Sequence, residues 1–312
     1  MTTFAFVFPG QGSQAVGMLD AWGDNLAVKQ TLIEASDALD ADIGRLIHEG
    51  PKEQLDLTTN TQPVMLTAAI ACYRAWLADG QAAPSVVAGH SLGEYSALVA
   101  SGVLTLADAL PLVRFRAQAM QDAVPVGVGA MAAILGMDAK AVSEGCAEVA
   151  AATGEAVEAV NFNDPKQTVI AGTKAGVEKA CELLKAKGAK RALPLPVSAP
   201  FHSSLMKPAA DRLRERLAAT TFATPRIPVV NNIDVAVETD ATAIRDALYR
   251  QAFGPVRWVE TVQAIRARGV THLIECGPGK VLAGMVKRID AEAHAATLND
   301  PASMNDVKGV LA

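Results

Sequence analysis

The sequence predicts an α/β fold: a large domain on a mainly parallel sheet, interrupted by a small α+β subdomain. Three observations predict it. Short apolar runs alternate with amphipathic stretches along most of the 312 residues, the pattern of buried strands connected by helices. One such run, Val86–Ala88, leads through Gly89-His90-Ser91-Leu92-Gly93 into a helical stretch. Between about Val126 and Val197 the order changes to β-α-β-β-α-β, the ferredoxin-like split unit.

In chain order, Phe4–Phe8 reads as a buried strand opening into the glycine-rich loop Pro9-Gly10-Gln11-Gly12-Ser13-Gln14. Leu26–Leu39 and Thr61–Leu77 read as helices, the second with Pro63 near its start, where a missing N–H has no helical partner to lose. Ser85–Ala88 is a strand, followed by helices at Glu94–Ala100 and Leu106–Met120. The inserted unit follows: strand Ala130–Leu135, helix Ala139–Ala151, strands Ala156–Asn161 and Thr168–Gly172, helix Ala175–Lys187, and strand Lys190–Leu195. The chain then gives helix Met206–Leu217, strand Pro228–Asn231, helices Thr242–Gln251 and Trp258–Arg268, and strand His272–Cys276, which ends in Gly277-Pro278-Gly279. Thr297–Pro301 reads as a weak last edge strand. The expected division is a large domain of residues 1–125 and 198–312 around a small one of residues 126–197.

Composition narrows the class. Half the residues are hydrophobic and only 4% aromatic, with no apolar run of membrane-spanning length, which suits a packed α/β enzyme. A net charge of −5 argues against general nucleic-acid binding. The start MTTFAFVFPGQG has no basic segment of the signal-peptide kind. Cys72, Cys146, Cys181 and Cys276 are scattered, with neither metal spacing nor disulfide context. The expectation is a cytoplasmic protein with no metal, no cofactor and no membrane contact.

The Gly-x-Ser-x-Gly turn sits between strand and helix, the context of a nucleophile elbow in an α/β-hydrolase-like domain. The glycines allow a tight turn around a strained serine, which makes Ser91 the candidate nucleophile. The helix N-terminus that follows offers the Leu92 N–H to an oxyanion. A serine needs a base, and there are five histidines. His48 reads as a surface helix end, His294 as part of a polar tail, and His272 as structural. His90 should point away around the turn, where it can line the site. His202, in the proline-bracketed PVSAPFHSSLM, stands where the chain re-enters the large domain; spacing alone leaves a structural role equally open.

Taken together, FVFPGQGSQ, GHSLGEYSAL, RFRAQAMQ, GAMAAILG, VNFNDPKQTVIAG, KRALPLPVSAPFHSSLM, VVNNID and ECGPGKVL resemble the malonyl-CoA:acyl-carrier-protein transacylases. The resemblance runs from Phe4 to about Pro301. It implies acyl transfer from malonyl-CoA to acyl-carrier protein in fatty acid synthesis, with Ser91 as nucleophile and His202 as base. It implies a backbone carbonyl, that of Gln251, as the third member in place of a carboxylate. Arg116 would face the free carboxylate of the acyl group, and Phe201 would narrow the pocket against a methyl branch. The Gln11 N–H would be the second oxyanion donor, and Gln62 and Asn161 would lie along the acyl and pantetheine path. Carrier proteins of this kind are acidic, so a local basic patch is expected to dock them: Lys187, Lys190, Arg191 and Lys207 are the candidates.

A serine esterase or thioesterase shares the elbow but needs no Arg116, and a carrier-binding module without activity needs neither Ser91 nor His202. The chain starts at Met1 without linkers, so a free-standing monomer is expected rather than a domain of a polyketide synthase.

Overall fold

The computed structural model describes residues 3–197 and 199–312. Two separate sheets organise it. The first contains β1 (Phe4–Phe8), β2 (Val86–Gly89), β7 (Val229–Val230), β8 (His272–Cys276) and β9 (His294–Leu298) in the order β7-β2-β1-β8-β9. Every pairing in it is parallel. Phe4, Phe6 and Phe8 pack on one face with Tyr73 and Trp76 of the helix Thr58–Ala78. Ala5 and Val7 pack on the other with Trp258, Val262 and Ile265. A strand covered on both faces has no polar side, which is why its five residues are uniformly apolar.

The second sheet contains β3 (Gly129–Leu135), β4 (Val157–Asp164), β5 (Gln167–Thr173) and β6 (Arg191–Pro194), ordered β4-β5-β3-β6 and antiparallel throughout. With its two helices, Ala139–Thr153 and Lys174–Ala186, it has the ferredoxin-like order. The helices cover Ala132, Ile134 and Ile170 on one face. Met131, Ala133, Val160, Val169 and Ala171 form a second cluster, against which Phe201 packs. One isolated bridge, Asn161 to Val256, joins the edge strand β4 to the rest of the chain.

Several elements differ from the sequence reading. The helix assigned to Thr61–Leu77 begins at Thr58, so Pro63 lies inside it. At that depth the ring removes a bond that the helix would otherwise make, rather than occupying a free first turn. The helices Ile43–Glu49, Val281–Ile289 and Pro301–Leu311 were not anticipated. His294 does not lie in a polar tail: it opens β9, with its ring stacked on His272 at 4.5 Å. Among the described residues, no helix is long and apolar enough to cross a membrane.

Candidate active site

In the parallel sheet the chain steps one way from β1 to β2 and β7, and the other way to β8 and β9. Loops at the carboxyl ends of strands on either side of such a reversal leave a crevice between them. Here the loops after β1 and β2 and the helix Val281–Ile289 that follows β8 face the cluster on the second sheet, around a cavity of about 220 Å³. Gln11, Gln62, Ser91, Leu92, Arg116, Asn161, Phe201 and His202 all line it.

The elbow is built by steric necessity. Ser91 has a φ of 53°, a left-handed conformation rare outside glycine. A Cβ on Gly89 would lie 1.8 Å from the Gly93 carbonyl carbon, and one on Gly93 would lie 2.1 Å from the Phe8 oxygen. Neither backbone can move away without opening the turn, so both positions need glycine. The loop after β1 approaches as closely: a Cβ on Gly10 would meet the His90 oxygen at 2.6 Å. That contact brings the backbone of Gln11 beside the elbow, and Leu92 stands at the N-terminal end of the helix Gly93–Ala100, where N–H groups have no helical acceptor.

Ser91 Oγ lies 2.6 Å from His202 Nε2, and His202 Nδ1 lies 2.8 Å from the Gln251 backbone oxygen. A carbonyl can only accept, so Nδ1 carries the proton and Nε2 is left to receive one from the serine. His202 is buried and itself left-handed, at φ 66°. Burial first, and the nearby Arg116 guanidinium second, push its pKa down to about 3, so the ring is neutral at rest and Nε2 has a free lone pair. His90, half-buried, hydrogen-bonds Asn163 Oδ1 through Nε2 at 2.8 Å and sits edge-on to Trp258. It lines the cavity without reaching Ser91 in any hydrogen bond.

Arg116 is 2% exposed and makes no ion pair among the described residues. Nη1 donates to Gln62 Oε1 at 2.9 Å, and Nη2 donates to Gln251 Oε1 at 3.1 Å and to Ser91 Oγ at 3.4 Å. Its Nε has no partner. Gln62 therefore holds the arginine as well as lining the cavity. Phe201 bridges the large core and the cluster on the second sheet.

Three residues of this centre escaped the sequence reading: Glu94, Asn232 and the side chain of Gln251. Asn232 follows β7 at the same carboxyl edge as the elbow, the position where a polar residue after a parallel strand is a signal. Its Oδ1 accepts from the Ser91 N–H at 2.7 Å, and its Nδ2 donates to the Gly89 oxygen at 2.7 Å.

The basic candidates are not equivalent. Lys187 pairs with Glu148, and Lys207 pairs with Asp211 at 2.6 Å, which cancels much of their attraction for an acidic partner. Lys190 and Arg191 are exposed and make no ion pair among the described residues. No group of three or more His, Cys, Asp or Glu side chains among the described residues is arranged to hold a metal ion.

Residues 5–301 match the family model described as the acyl transferase domain. The chain belongs to the acyl transferase family. It is 55% identical over 305 residues to the malonyl CoA-acyl carrier protein transacylase of Escherichia coli K12, covering 97% of this chain and 98% of that one. Among solved structures it resembles an acyl-carrier-protein S-malonyltransferase from Burkholderia pseudomallei, at a TM-score of 0.96 and 68% identity over 98% of this chain and 99% of that one. It also resembles a malonyl-transacylase in complex with its type II PKS acyl-carrier protein, at a TM-score of 0.95 and 52% identity over 97% and 98% of the two chains. As an acyl transferase, the protein needs a nucleophile, a base and an anion-stabilising corner within reach of one another, and the crevice has groups of each type.

Proposed function

We propose that the protein moves a malonyl group from malonyl-CoA to the phosphopantetheine thiol of an acyl-carrier protein, through a malonyl ester on Ser91, as a step of fatty acid synthesis. One observation carries the reading: the serine–imidazole hydrogen bond lies beside a buried arginine with no carboxylate partner. A malonyl ester on Oγ carries its carboxylate two carbons further on, within reach of a guanidinium already in contact with Oγ. The planar fork of Arg116 binds a carboxylate through two parallel N–H bonds, and an acetyl group offers that buried cation nothing.

His202 Nε2 takes the Ser91 proton as Oγ attacks the thioester carbon. The oxyanion is received by the Leu92 and Gln11 N–H groups. Collapse breaks the C–S bond, and CoA leaves as a thiol with the proton from His202. The carrier thiol then gives its proton to His202 and attacks the ester, and Ser91 leaves with that proton. Each half-reaction exchanges one thioester or ester for another, with no cofactor required. Asn161 and Phe201 line the path of the acyl and pantetheine groups, with Phe201 crowding any branch at the α-carbon.

In this reading residues 126–197 form the inserted subdomain that closes the crevice, and residues 1–125 and 198–312 form the catalytic domain. Lys190 and Arg191 are the better docking candidates for an acidic carrier, since Lys187 and Lys207 are already paired. The catalytic groups all come from one chain, so a monomer suffices. CoA thioester chemistry and four free thiols suit the cytoplasm.

Intact-protein mass spectrometry tests the proposal. Malonyl-CoA should add one malonyl mass, and phosphopantetheinylated acyl-carrier protein should remove it. An adduct lost to water at the same rate without carrier would make the protein a thioesterase.

A further inference from the structure

The Gln251 side chain is fully buried between three groups. Its Nε2 donates to the Ser91 oxygen at 3.0 Å and to Glu94 Oε2 at 3.1 Å, and its Oε1 accepts from Arg116 Nη2 at 3.1 Å. An amide has one accepting end and one donating end. Arginine has only donors, while a carbonyl and a carboxylate only accept, so one orientation alone satisfies all three.

The same carboxylate oxygen has a second duty. Glu94 Oε2 also accepts the Asn232 backbone N–H at 2.9 Å, and Asn232 in turn receives the Ser91 N–H through Oδ1. The strained Ser91 is thus gripped at its N–H by Asn232 and at its carbonyl by Gln251, and both grips hang on a single oxygen of Glu94. Glu94 lies in the first turn of the helix that follows the elbow and is 2% exposed. It touches neither the Ser91 hydroxyl nor the cavity.

We infer that Glu94 is a positioning residue that sets acyl-group choice: through the Gln251 amide it fixes the aim of Arg116, and through Asn232 it fixes the elbow, so that carboxylate recognition and nucleophile placement share one anchor. The inference rests on the malonyl reading of the site. It also assigns the Gln251 side chain a part separate from that of its backbone oxygen. The buried carboxyl has its pKa raised to about 7 by desolvation, against the opposing pull of Asn232, Gln251 and Arg116. Burying a carboxylate is costly unless hydrogen bonds offset its lost hydration, and here those bonds come from Asn232 and Gln251.

The test is a cycle read as the ratio of malonyl to acetyl loading of Ser91, each by mass spectrometry, with thermal unfolding as the control for folding. Glu94→Ala should lower the ratio by about tenfold, the worth of one charge-assisted hydrogen bond. Gln251→Leu should lower it by a similar factor. The double variant should fall no further, since both changes cut one connection. Glu94→Gln keeps an oxygen to accept both bonds and should restore the ratio to within about threefold of the wild type.

A ratio unchanged in Glu94→Ala, with both loadings reduced alike, would make Glu94 merely structural and overturn the inference. So would multiplied losses in the double variant. If Glu94→Ala does not fold, an unchanged ratio in Gln251→Leu overturns it equally. Wild-type protein that fails to load malonyl at all would instead defeat the functional proposal.

Discussion

The imidazole of His202 is oriented by a neutral oxygen: Nδ1 stands 2.8 Å from the backbone carbonyl of Gln251. A carbonyl fixes the tautomer as an aspartate does but stabilises the imidazolium less. Burial and the nearby Arg116 guanidinium, against the opposing pull of this carbonyl, keep the ring uncharged at rest.

The first prediction concerns that charge. Free histidine titrates near 6.5, while His202 is held at about 3. The sign follows: below 6.5 the unfolded chain takes up a proton that the folded protein refuses until near 3, so this group subtracts stability as the pH falls through that window. In the folded protein the ring stays neutral throughout it. NMR of the His202 ring should show no titration between about pH 7 and pH 5; a midpoint near 6.5 would refute the description.

Ser91→Ala should abolish the malonyl adduct while leaving the fold intact, because alanine keeps the same Cβ in the same left-handed backbone. Retention of the adduct mass would assign the nucleophile elsewhere.

His202→Ala should lower the rate of Ser91 loading by about 10²–10⁴-fold, the usual contribution of a general base. Stopped-flow loading with malonyl-CoA measures it. A loss under about tenfold would leave the imidazole without that role.

Arg116→Ala leaves the malonyl carboxylate without a partner, at about 2–5 kcal/mol in the transition state. Malonyl loading should fall steeply while acetyl loading falls little or rises. Arg116→Lys should rescue only in part, since it retains the charge and loses the fork. An unchanged malonyl-to-acetyl ratio in Arg116→Ala would remove the main support for malonyl as substrate.

Gly89→Ala places a methyl 1.8 Å from backbone carbon and should destabilise the protein by about 3 kcal/mol or more in urea unfolding. Gly154→Ala, with φ +73° and open space around it, should cost only about 1 kcal/mol. Equal losses would mean that the turn relaxes away from the added methyl and that contact does not demand glycine at position 89.

The elbow was legible in the sequence because its constraint is local: two glycines flank one serine, with strand before and helix after. His202 was singled out by its loop but confirmed in no way by spacing, since its partners Ser91 and Gln251 come from other parts of the chain. Glu94 follows the elbow motif directly, yet nothing in one dimension shows that its carboxylate meets Asn232 and Gln251. Polar groups buried together declare themselves only after folding. The missed helix Pro301–Leu311 had a readable start, a capping box between Asp300 and Ser303 with proline at the first position, hidden by the polar texture around it. The missed helix Val281–Ile289 carries Leu282, Met285 and Val286 at helical spacing, masked by the Gly-Pro-Gly that precedes it.

The central strand of the parallel sheet has a consequence for how the molecule is made. β1 lies between β2 and β8, so its second edge stays open until the segment His272–Cys276 has been synthesised. The antiparallel sheet asks for no such wait, because its four strands lie within residues 129–194. Contacts between distant parts of a chain form slowly and leave apolar edges exposed meanwhile. The strand that leads into the loop Pro9–Gln14 is thus made long before the strand that completes its pairing, and during that interval its five apolar residues keep one edge open to wrong partners.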